Sequence, residues 1–478
     1  MEKYKNLISG EHRTPNTGKY ADNLNPGDLS DTIGQFAASD RTDVQTAIEA
    51  ASGAFPDWAN VPGPDRGKIL FRFADLLSEY SEELARMLSR EEGKVLGESR
   101  GEVGRAIAET RFMAGEASRL NGEHYSSNDP DIEVMRRRIP LGPVAVITPW
   151  NFPIVTPVRK ISPAVAYGDT VVFKPAALTP ATALRLVELF WEAGVPPGVL
   201  NCITGAGSEI GDALSGSPEI RGITFTGSTT IGKRIYANSV DNLTKVQLEM
   251  GGKNPAFVYD AEDLDYAASQ IVAAAFASAG QRCTAISRVI VSEHENDALL
   301  SKLEQRVKQL RVGDALDESV DMGPLVSSGQ LETVEKYVDL ARKEGARILF
   351  GGERANGPSR GYYYLPTLIS DVRRDSPVAL EEIFGPVLSV QTVSSFEEGL
   401  EMCNEPRYGL AGCVFTRYLA KAKTFLQSMN SGMVHINHGT ASQPHVPFGG
   451  VKESGFGAYS IGPTAREFYM SDKVVYLK

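Results

Sequence analysis

Cysteine is scarce in this chain: there are four, Cys202, Cys283, Cys403 and Cys413, and no two of them form a Cys-x-x-Cys pair. That excludes a dense disulfide framework and fits free thiols in a reducing compartment. Histidine is nearly as rare. His435, His438 and His445 fall close together, but no cysteine or carboxylate flanks them at ligand spacing, so no metal site is expected. Positive charge is in deficit, with 49 Lys and Arg against 60 Asp and Glu and a net charge of -11. This balance argues against an extended polyanion-binding surface, so nucleic acid is not an expected partner, and Arg136-Arg137-Arg138 reads as rim or interface charge. Long apolar runs are missing too. The longest, 271–277, is far too short to span a bilayer, and residues 1–13 hold no signal-peptide core, so a cytoplasmic protein with no membrane partner is expected.

What is present is the mix of an ordinary globular protein, 42% hydrophobic and 23% charged, in 478 residues. That length suits about two to four domains. From 40 to 120 apolar residues recur at helical spacing, as in Ile69-Leu70, Phe73 and Leu76-Leu77. Thereafter β-rich runs at 144–147, 171–173 and 223–225 alternate with helical stretches at 182–192 and 229–237, which predicts a mostly parallel, helix-covered sheet. The alternation resumes after Gly252, with runs at 256–258 and 289–291, and continues to about Phe448. A second α/β domain is therefore expected, with the boundary near Gly251-Gly252. Two stretches, 132–139 and 468–477, alternate like exposed strands suited to pairing or oligomer contacts.

One cysteine stands apart from the others. Cys283, in Gly280-Gln281-Arg282-Cys283-Thr284-Ala285, follows Ala277-Ser278-Ala279, small residues that let a substrate or a cofactor ring approach the sulfur. The thiolate is the nucleophilic form, and an ordinary thiol is ionised only to a few per cent near neutrality, so Cys283 needs activation. The competing account is a small buried hydrophobe. Glu249, in Leu248-Glu249-Met250-Gly251-Gly252-Lys253, offers a general base, or else the polar face of a half-buried strand. Thr226-Gly227-Ser228 reads as a glycine turn between strand and helix, a geometry that aims backbone N–H groups at a dinucleotide pyrophosphate, although a plain tight turn fits equally well. Gly205-Ala206-Gly207-Ser208-Glu209-Ile210-Gly211 misses the dinucleotide fingerprint by one residue and reads as a turn with a helix cap. Lys174, in Phe173-Lys174-Pro175-Ala176-Ala177, ends a buried-looking strand where the sheet edge would expose it to a ligand; a solvated loop lysine is the alternative.

Together with Thr148-Pro149-Trp150-Asn151-Phe152-Pro153, Glu381-Glu382-Ile383-Phe384-Gly385-Pro386 and Pro447-Phe448-Gly449-Gly450, these segments resemble the aldehyde dehydrogenase superfamily in order and spacing, from about Asn25 to the C-terminus. The resemblance implies an α/β fold with a Rossmann-like cofactor domain over 1–120 and 140–251, a second α/β catalytic domain over 252–448, and a small β oligomerisation element over 121–139 and 449–478. It also implies oxidation of a small aldehyde with NAD or NADP. Cys283 would attack the carbonyl, the Asn151 amide and the Cys283 N–H would hold the oxyanion, and Glu249 would activate the water that hydrolyses the thioester. Glu382, rather than Glu381, would hold the nicotinamide ribose, and Phe384 would pack to place the ring. Further cofactor contacts would come from Thr148, Trp150 and Met250, from the glycine turns at Gly207, Gly227 and Ser228, and from Lys174 and Ala177. Asn151 as a turn residue and Phe384 as core are the structural alternatives.

Ala177 bears on cofactor choice. NAD-preferring relatives often carry a glutamate at that position, and its loss removes both the attraction for the NAD ribose and the repulsion of the NADP phosphate, so dual use is implied. The chain looks closest to the branch oxidising acidic semialdehydes, α-ketoglutaric or succinic. In succinic semialdehyde dehydrogenases an arginine at the Arg159 position and a serine at the Ser442 position hold the substrate carboxylate. Their third anchor, an arginine, falls at Ala277 here, and Arg282 is its candidate replacement. A ketoglutaric or similar ω-oxo acid is therefore expected, with His438 lining the substrate mouth; otherwise Arg159 is a surface helix residue paired with nothing. The rivals are an uncharged alkyl or aromatic aldehyde dehydrogenase, a CoA-acylating enzyme and a catalytically silent scaffold. A homodimer or homotetramer is implied by the family.

Overall fold

A computed structural model describes residues 2–120, 122–355 and 360–478; position 121, where the bridging β element is expected to begin, lies outside them. Two large sheets organise the molecule. The first has eight strands in the order Gly455–Phe456, Lys245–Glu249, Gly222–Thr226, Pro143–Ile147, Thr170–Lys174, Leu200–Cys202, Asn6–Ile8 and Glu11–Arg13. The five from Lys245–Glu249 to Leu200–Cys202 run parallel, and the outer strands are antiparallel additions. Pro143–Ile147 and Thr170–Lys174 are buried at every position, which is why they read as continuous apolar runs rather than alternating ones. Four N-terminal helices, Arg41–Ala59, Gly63–Glu79, Ser81–Glu92 and Leu96–Glu116, add to the core beside this sheet. The first of them begins with a reciprocal cap between Asp40 and Asp43.

The second sheet has seven strands, Arg347–Phe350, Thr367–Ser370, Val387–Val393, Ile286–Ser292, Asn254–Val258, Ala411–Phe415 and Met433–Ile436, parallel except for the first pair. Between the sheets the chain passes through Gly251-Gly252. Glu249 is thus the last residue of a strand in one sheet, and Asn254 opens a strand of the other. In open parallel sheets ligands bind beyond the carboxyl ends of the strands, so Glu249 is delivered to that crevice by topology alone.

A third, three-stranded sheet joins Glu123–Tyr125, Glu133–Pro140 and Met470–Leu477, with Met470 opposite Pro140 and Leu477 opposite Glu133. The two alternating stretches seen in the sequence therefore pair with each other. The intervening C-terminal residues go elsewhere. Gly455–Phe456 hydrogen-bonds to the edge of the first sheet, and Phe468 and Tyr469 are fully buried in that sheet's core. Apolar burial outweighs chain proximity there, at about 1.5–3 kcal/mol per large side chain. Before the first helix, Tyr20–Asn25 and Asp28–Ala37 form an antiparallel pair that the sequence hid, because Ser30, Asp31, Thr32 and Gln35 break any apolar alternation. Among the described residues no helix is long and apolar enough to cross a membrane.

Candidate active site

A cavity of about 470 Å³ opens between the two large sheets, and Cys283, Glu249, Asn151 and Glu382 all line it. The segment before Cys283 is bent sharply. Ser278, Ala279 and Gly280 are all left-handed, with φ of 52°, 54° and 69°. Such backbone costs roughly 1–2 kcal/mol for a residue with a side chain, so the surroundings must hold it. They do. The Glu98 carboxylate accepts from Ser278 N at 2.9 and 3.1 Å. A Cβ on Gly280 would stand 2.2 Å from the Gly385 carbonyl, so only glycine fits. Gln281 accepts from Val326 N at 3.0 Å, and the Cys283 carbonyl accepts from Asn254 Nδ2 at 2.8 Å. The sulfur is half-buried. Burial, with the negative charges of Glu249 and Glu382, pushes the Cys283 thiol up to about 11 against the opposing pull of Arg159 and Arg282. At neutral pH it therefore carries its proton, which a nucleophilic role would require it to lose.

Glu249 is buried, and so are Val246, Gln247 and Leu248 before it, so the half-buried alternating strand of the sequence reading is corrected: strands pair along both of its edges, and the helices Thr229–Ser239 and Arg466–Tyr469 pack against it. One carboxylate oxygen, Oε2, accepts from Thr226 Oγ1 at 3.1 Å and lies 4.0 Å from Lys160 Nζ. The other, Oε1, is buried without a partner. Lys160 donates to Thr224 Oγ1 at 2.9 Å, and burial lowers it to about 8. Asn151 does not bond its own turn. Its amide donates to the Gln281 carbonyl at 2.9 Å, leaving a second amide proton for a ligand. Its carbonyl accepts from Lys94 Nζ at 2.6 Å, and Lys94 is paired with Glu102, also at 2.6 Å. Glu102 in turn accepts from the N–H groups of Ile154 and Val155 at the start of the Val155–Tyr167 helix.

Of the expected cofactor residues, Trp150, Gly227, Ser228, Met250, Glu382 and Phe384 line the cavity with Cys283. Ser228 caps the Thr229–Ser239 helix through Ile231 N. A Cβ on Gly227 would meet the Phe225 ring at 2.5 Å, and one on Gly251 would meet the Glu382 carboxylate at 2.0 Å. Glu382 accepts from Gly252 N at 2.8 Å, and burial raises it to about 7. Phe384 is not plain core; it is half-buried, left-handed at φ 57°, and edge-on to Trp150 at 5.4 Å between centroids. Thr148 is buried with its hydroxyl unpartnered. Lys174 requires correction. It is 6% exposed rather than open at a sheet edge, because its stem packs beside Gly207 and its amine donates to the Pro175 carbonyl at 2.9 Å. Burial lowers it to about 8. Ala177, nearby, is exposed, and Gly207 opens the Gly207–Ser215 helix; none of these three lines the Cys283 cavity.

The substrate candidates Arg159, Arg282 and Ser442 do line it. Arg159 is neither at the surface nor unpaired. It is buried, donates to Glu109 at 3.1 and 2.8 Å, and lies over the Phe448 ring. The Arg282 Nε is buried without a partner. Ser442 Oγ accepts from Arg105 Nη1 at 2.6 Å. His438 is not among the lining residues, its ring being turned to the Gly439 carbonyl. Sequence reasoning missed Lys94, Glu102, Arg105 and Lys160. Glu102, Arg105 and Lys160 signalled only charge within helical runs, which normally marks a solvated face, and Lys94 sits in the short link between two helices. No cluster of three or more His, Cys, Asp or Glu suited to a metal occurs among the described residues.

A family model described as the aldehyde dehydrogenase family matches residues 12–475. The chain is 40% identical to the α-ketoglutaric semialdehyde dehydrogenase of Bacillus subtilis, over 99% of this chain and 98% of that protein. Among solved structures it is similar to betaine aldehyde dehydrogenase from Staphylococcus aureus in complex with NAD+, with a TM-score of 0.96 and 35% identity over 99% of this chain and 94% of the other. It is equally close to an E. coli NADP-dependent enzyme, with a TM-score of 0.96 and 34% identity over 99% and 98% of the two chains.

Proposed function

The chain belongs to the aldehyde dehydrogenase family, and from that premise we propose that it oxidises an acidic semialdehyde, an ω-oxo acid of the ketoglutaric or succinic type, to the dicarboxylic acid. It is an NAD(P)-dependent aldehyde oxidoreductase. The observation that carries the substrate reading is the cavity wall where Arg105 and Arg159 share one carboxylate, that of Glu109, and where the Nε of Arg282 has no partner. Guanidinium groups match a carboxylate in geometry and charge. The B. subtilis relative, named for a substrate of this class, supports the same reading.

The residues present fit a dinucleotide. The turn at Thr226-Gly227-Ser228 and the carboxylate of Glu382 open on the same cavity as the nucleophile, and Gly251 leaves the space that Glu382 occupies. When bound, the dinucleotide supplies the hydride acceptor. Cys283 Sγ forms a bond to the aldehyde carbon while its proton passes to Glu249, whose unpartnered Oε1 is the open acceptor. Negative charge on the carbonyl oxygen is held by the second amide proton of Asn151 and by the Cys283 N–H. Loss of hydride leaves a thioester on Cys283. Glu249, its proton given up to solvent, then takes one from a water that attacks the thioester carbon; the C–S bond breaks, the leaving sulfur takes that proton from Glu249, and the acid departs.

Glu249 disfavours the CoA-acylating reading, which needs no hydrolytic base. For the cofactor we propose use of both NAD and NADP, supported by an exposed Ala177 beside Lys174. A homodimer or homotetramer is supported by the terminal edge strand, where Val474, Tyr476 and Leu477 are exposed. The experiment is a set of initial rates with each cofactor across succinic semialdehyde, α-ketoglutaric semialdehyde and uncharged aldehydes of matching length. The acids are expected to lead by at least about tenfold in kcat/KM, or ~1.4 kcal/mol of transition-state preference. Faster uncharged aldehydes would sink the substrate reading and leave the Cys283 chemistry standing.

A further inference from the structure

Two loops meet at the reacting end of the cavity, one carrying Asn151 and the other Cys283, and the start of the Leu96–Glu116 helix touches both. Lys94, two residues before that helix, donates to the Asn151 carbonyl at 2.6 Å. Glu98, in its first turn, lines the cavity and accepts from Ser278 on the other loop: from the main-chain N–H at 2.9 and 3.1 Å and from the hydroxyl at 3.2 Å. The loops also hold each other. The Ser278 carbonyl accepts from Gln281 N at 3.0 Å and from Gln281 Nε2 at 3.2 Å, while the Gln281 carbonyl accepts from the Asn151 amide at 2.9 Å. A ring of contacts therefore runs from Lys94 through Asn151, Gln281 and Ser278 to Glu98, and closes along the helix. Ser278 is its strained member, left-handed at φ 52° and followed by the left-handed Ala279 and Gly280. Among the described residues the hydrogen bonds to the Glu98 carboxylate all come from Ser278, so this side chain is spent on holding that backbone. No step of the proposed chemistry uses it.

We infer that Glu98 is a positioning residue for the oxyanion: by clamping Ser278 it fixes the separation between the Asn151 amide and the Cys283 N–H. This rests on the reading of Cys283 as the nucleophile toward an aldehyde carbonyl, and not on which aldehyde is taken. Both donors must reach the same oxygen as charge develops on it, and the gain is lost when one of them drifts. With the clamp gone, Asn151 stays held by Lys94, whereas the segment from Ser278 to Cys283 is free to leave its left-handed bend. The loss then falls on addition to the carbonyl and on the hydride transfer that follows. The sulfur's own reactivity needs no clamp. When Cys283 displaces iodide from iodoacetamide, a C–S bond forms and a C–I bond breaks, and no carbonyl oxygen gains charge.

The test sets two rates side by side in wild type and in the Glu98→Ala, Glu98→Gln and Glu98→Asp variants: single-turnover hydride transfer, with succinic semialdehyde and with butanal, and alkylation by iodoacetamide. The other three cysteines are buried, so alkylation reports Cys283. Glu98→Ala is expected to slow hydride transfer at least about thirtyfold on both aldehydes. Its alkylation rate and its KM for the dinucleotide should stay within about threefold of wild type. Glu98→Gln, which returns an acceptor oxygen to Ser278 without the charge, should recover most of the loss. Glu98→Asp keeps the charge but is one methylene short, and it keeps the test open where the alanine variant does not fold; about a tenfold loss is expected. Wild-type hydride transfer in Glu98→Ala or Glu98→Asp overturns the inference. So does an alkylation rate that falls as far as hydride transfer, since Glu98 would then support the nucleophile or the fold at large. Hydride transfer that persists in Cys283→Ala is a separate failure, because it removes the reading of the nucleophile itself.

Discussion

The two ends of the cavity are held in place by different means. Around Cys283 the key contacts run through the main chain. The Asn151 carbonyl is taken by Lys94, the Cys283 carbonyl by Asn254, the Val326 N–H by Gln281, and the left-handed Ser278 by Glu98. At the far wall the contacts run between side chains: Arg159 to Glu109, Arg105 to Glu109, and Arg105 to Ser442. Geometry braced at main-chain atoms tolerates exchange of the side chains on the braced segment itself, whereas a wall of paired side chains changes character with one substitution. Under the proposed function the chemistry is the fixed end of the site and the specificity its adjustable end, as expected when precise placement matters for reaction more than for recognition.

The widest separation between the ends comes from deleting the proposed nucleophile. Cys283→Ala should lower turnover on every aldehyde by at least about 10⁴-fold, acid and neutral alike, and abolish the rapid burst of reduced cofactor in stopped flow. Equal loss on all substrates marks the reacting end. A graded loss would place Cys283 in recognition instead.

Next comes the ion pair behind Asn151. Lys94→Met leaves Glu102 buried with no cation, and breaking a buried pair in this way costs about 3–5 kcal/mol. Denaturant unfolding should show that loss, and kcat should fall on acid and neutral aldehydes together because the Asn151 carbonyl loses its donor. An unchanged kcat would show that the main-chain bracing is not needed for the chemistry.

A smaller effect is expected where the cofactor's adenosine end is assigned. Ala177→Glu should shift the ratio of NADP to NAD use toward NAD by about tenfold, through loss of the phosphate-tolerant surface beside Lys174. Parallel initial rates with the two cofactors measure it. A ratio that does not move would place the 2'-phosphate elsewhere.

The mildest prediction concerns pH. With the thiol raised to about 11 by burial and by Glu249 and Glu382, alkylation of Cys283 by iodoacetamide in the free enzyme should keep rising well above the ordinary thiol value of about 8.5. Lys160 and Lys174 add a linked effect on stability. Each is lowered to about 8 in the folded state, so the unfolded chain binds more protons in the interval from there up to the ordinary lysine value. Their contribution therefore destabilises the fold below about pH 8, and stability recovers as pH rises through that interval. Titration of the unfolding midpoint from pH 7 to 10 in the Lys160→Met variant, against wild type, isolates one of the two.

The contrast between the ends also explains what the sequence disclosed. Cys283, Glu249, Asn151 and Glu382 stand in short segments whose order and spacing carry the resemblance, and the cavity lining includes all four. The parallel strands were readable because burial on both faces leaves unbroken apolar runs. Arg105 was not readable. Its acceptor, Ser442, is 337 positions away, and a charged residue on a long helix reads as solvated. Lys160 was hidden in the same way, on a helix buried along its whole length. Lys174 was placed correctly at a strand end but wrongly in solvent, because packing against Gly207 is a contact between distant segments.

The account turns on Glu249 as the base that releases the acid, and single-turnover kinetics of Glu249→Gln test that most directly. Mixed with succinic semialdehyde and excess cofactor without CoA, the variant should still release reduced cofactor up to one per active site, but more slowly than wild type because Glu249 also takes the Cys283 proton. A steady rate about 10²–10⁴-fold below wild type should follow as the thioester accumulates on Cys283. Wild-type steady turnover in that variant would contradict the assignment and move hydrolysis to another group.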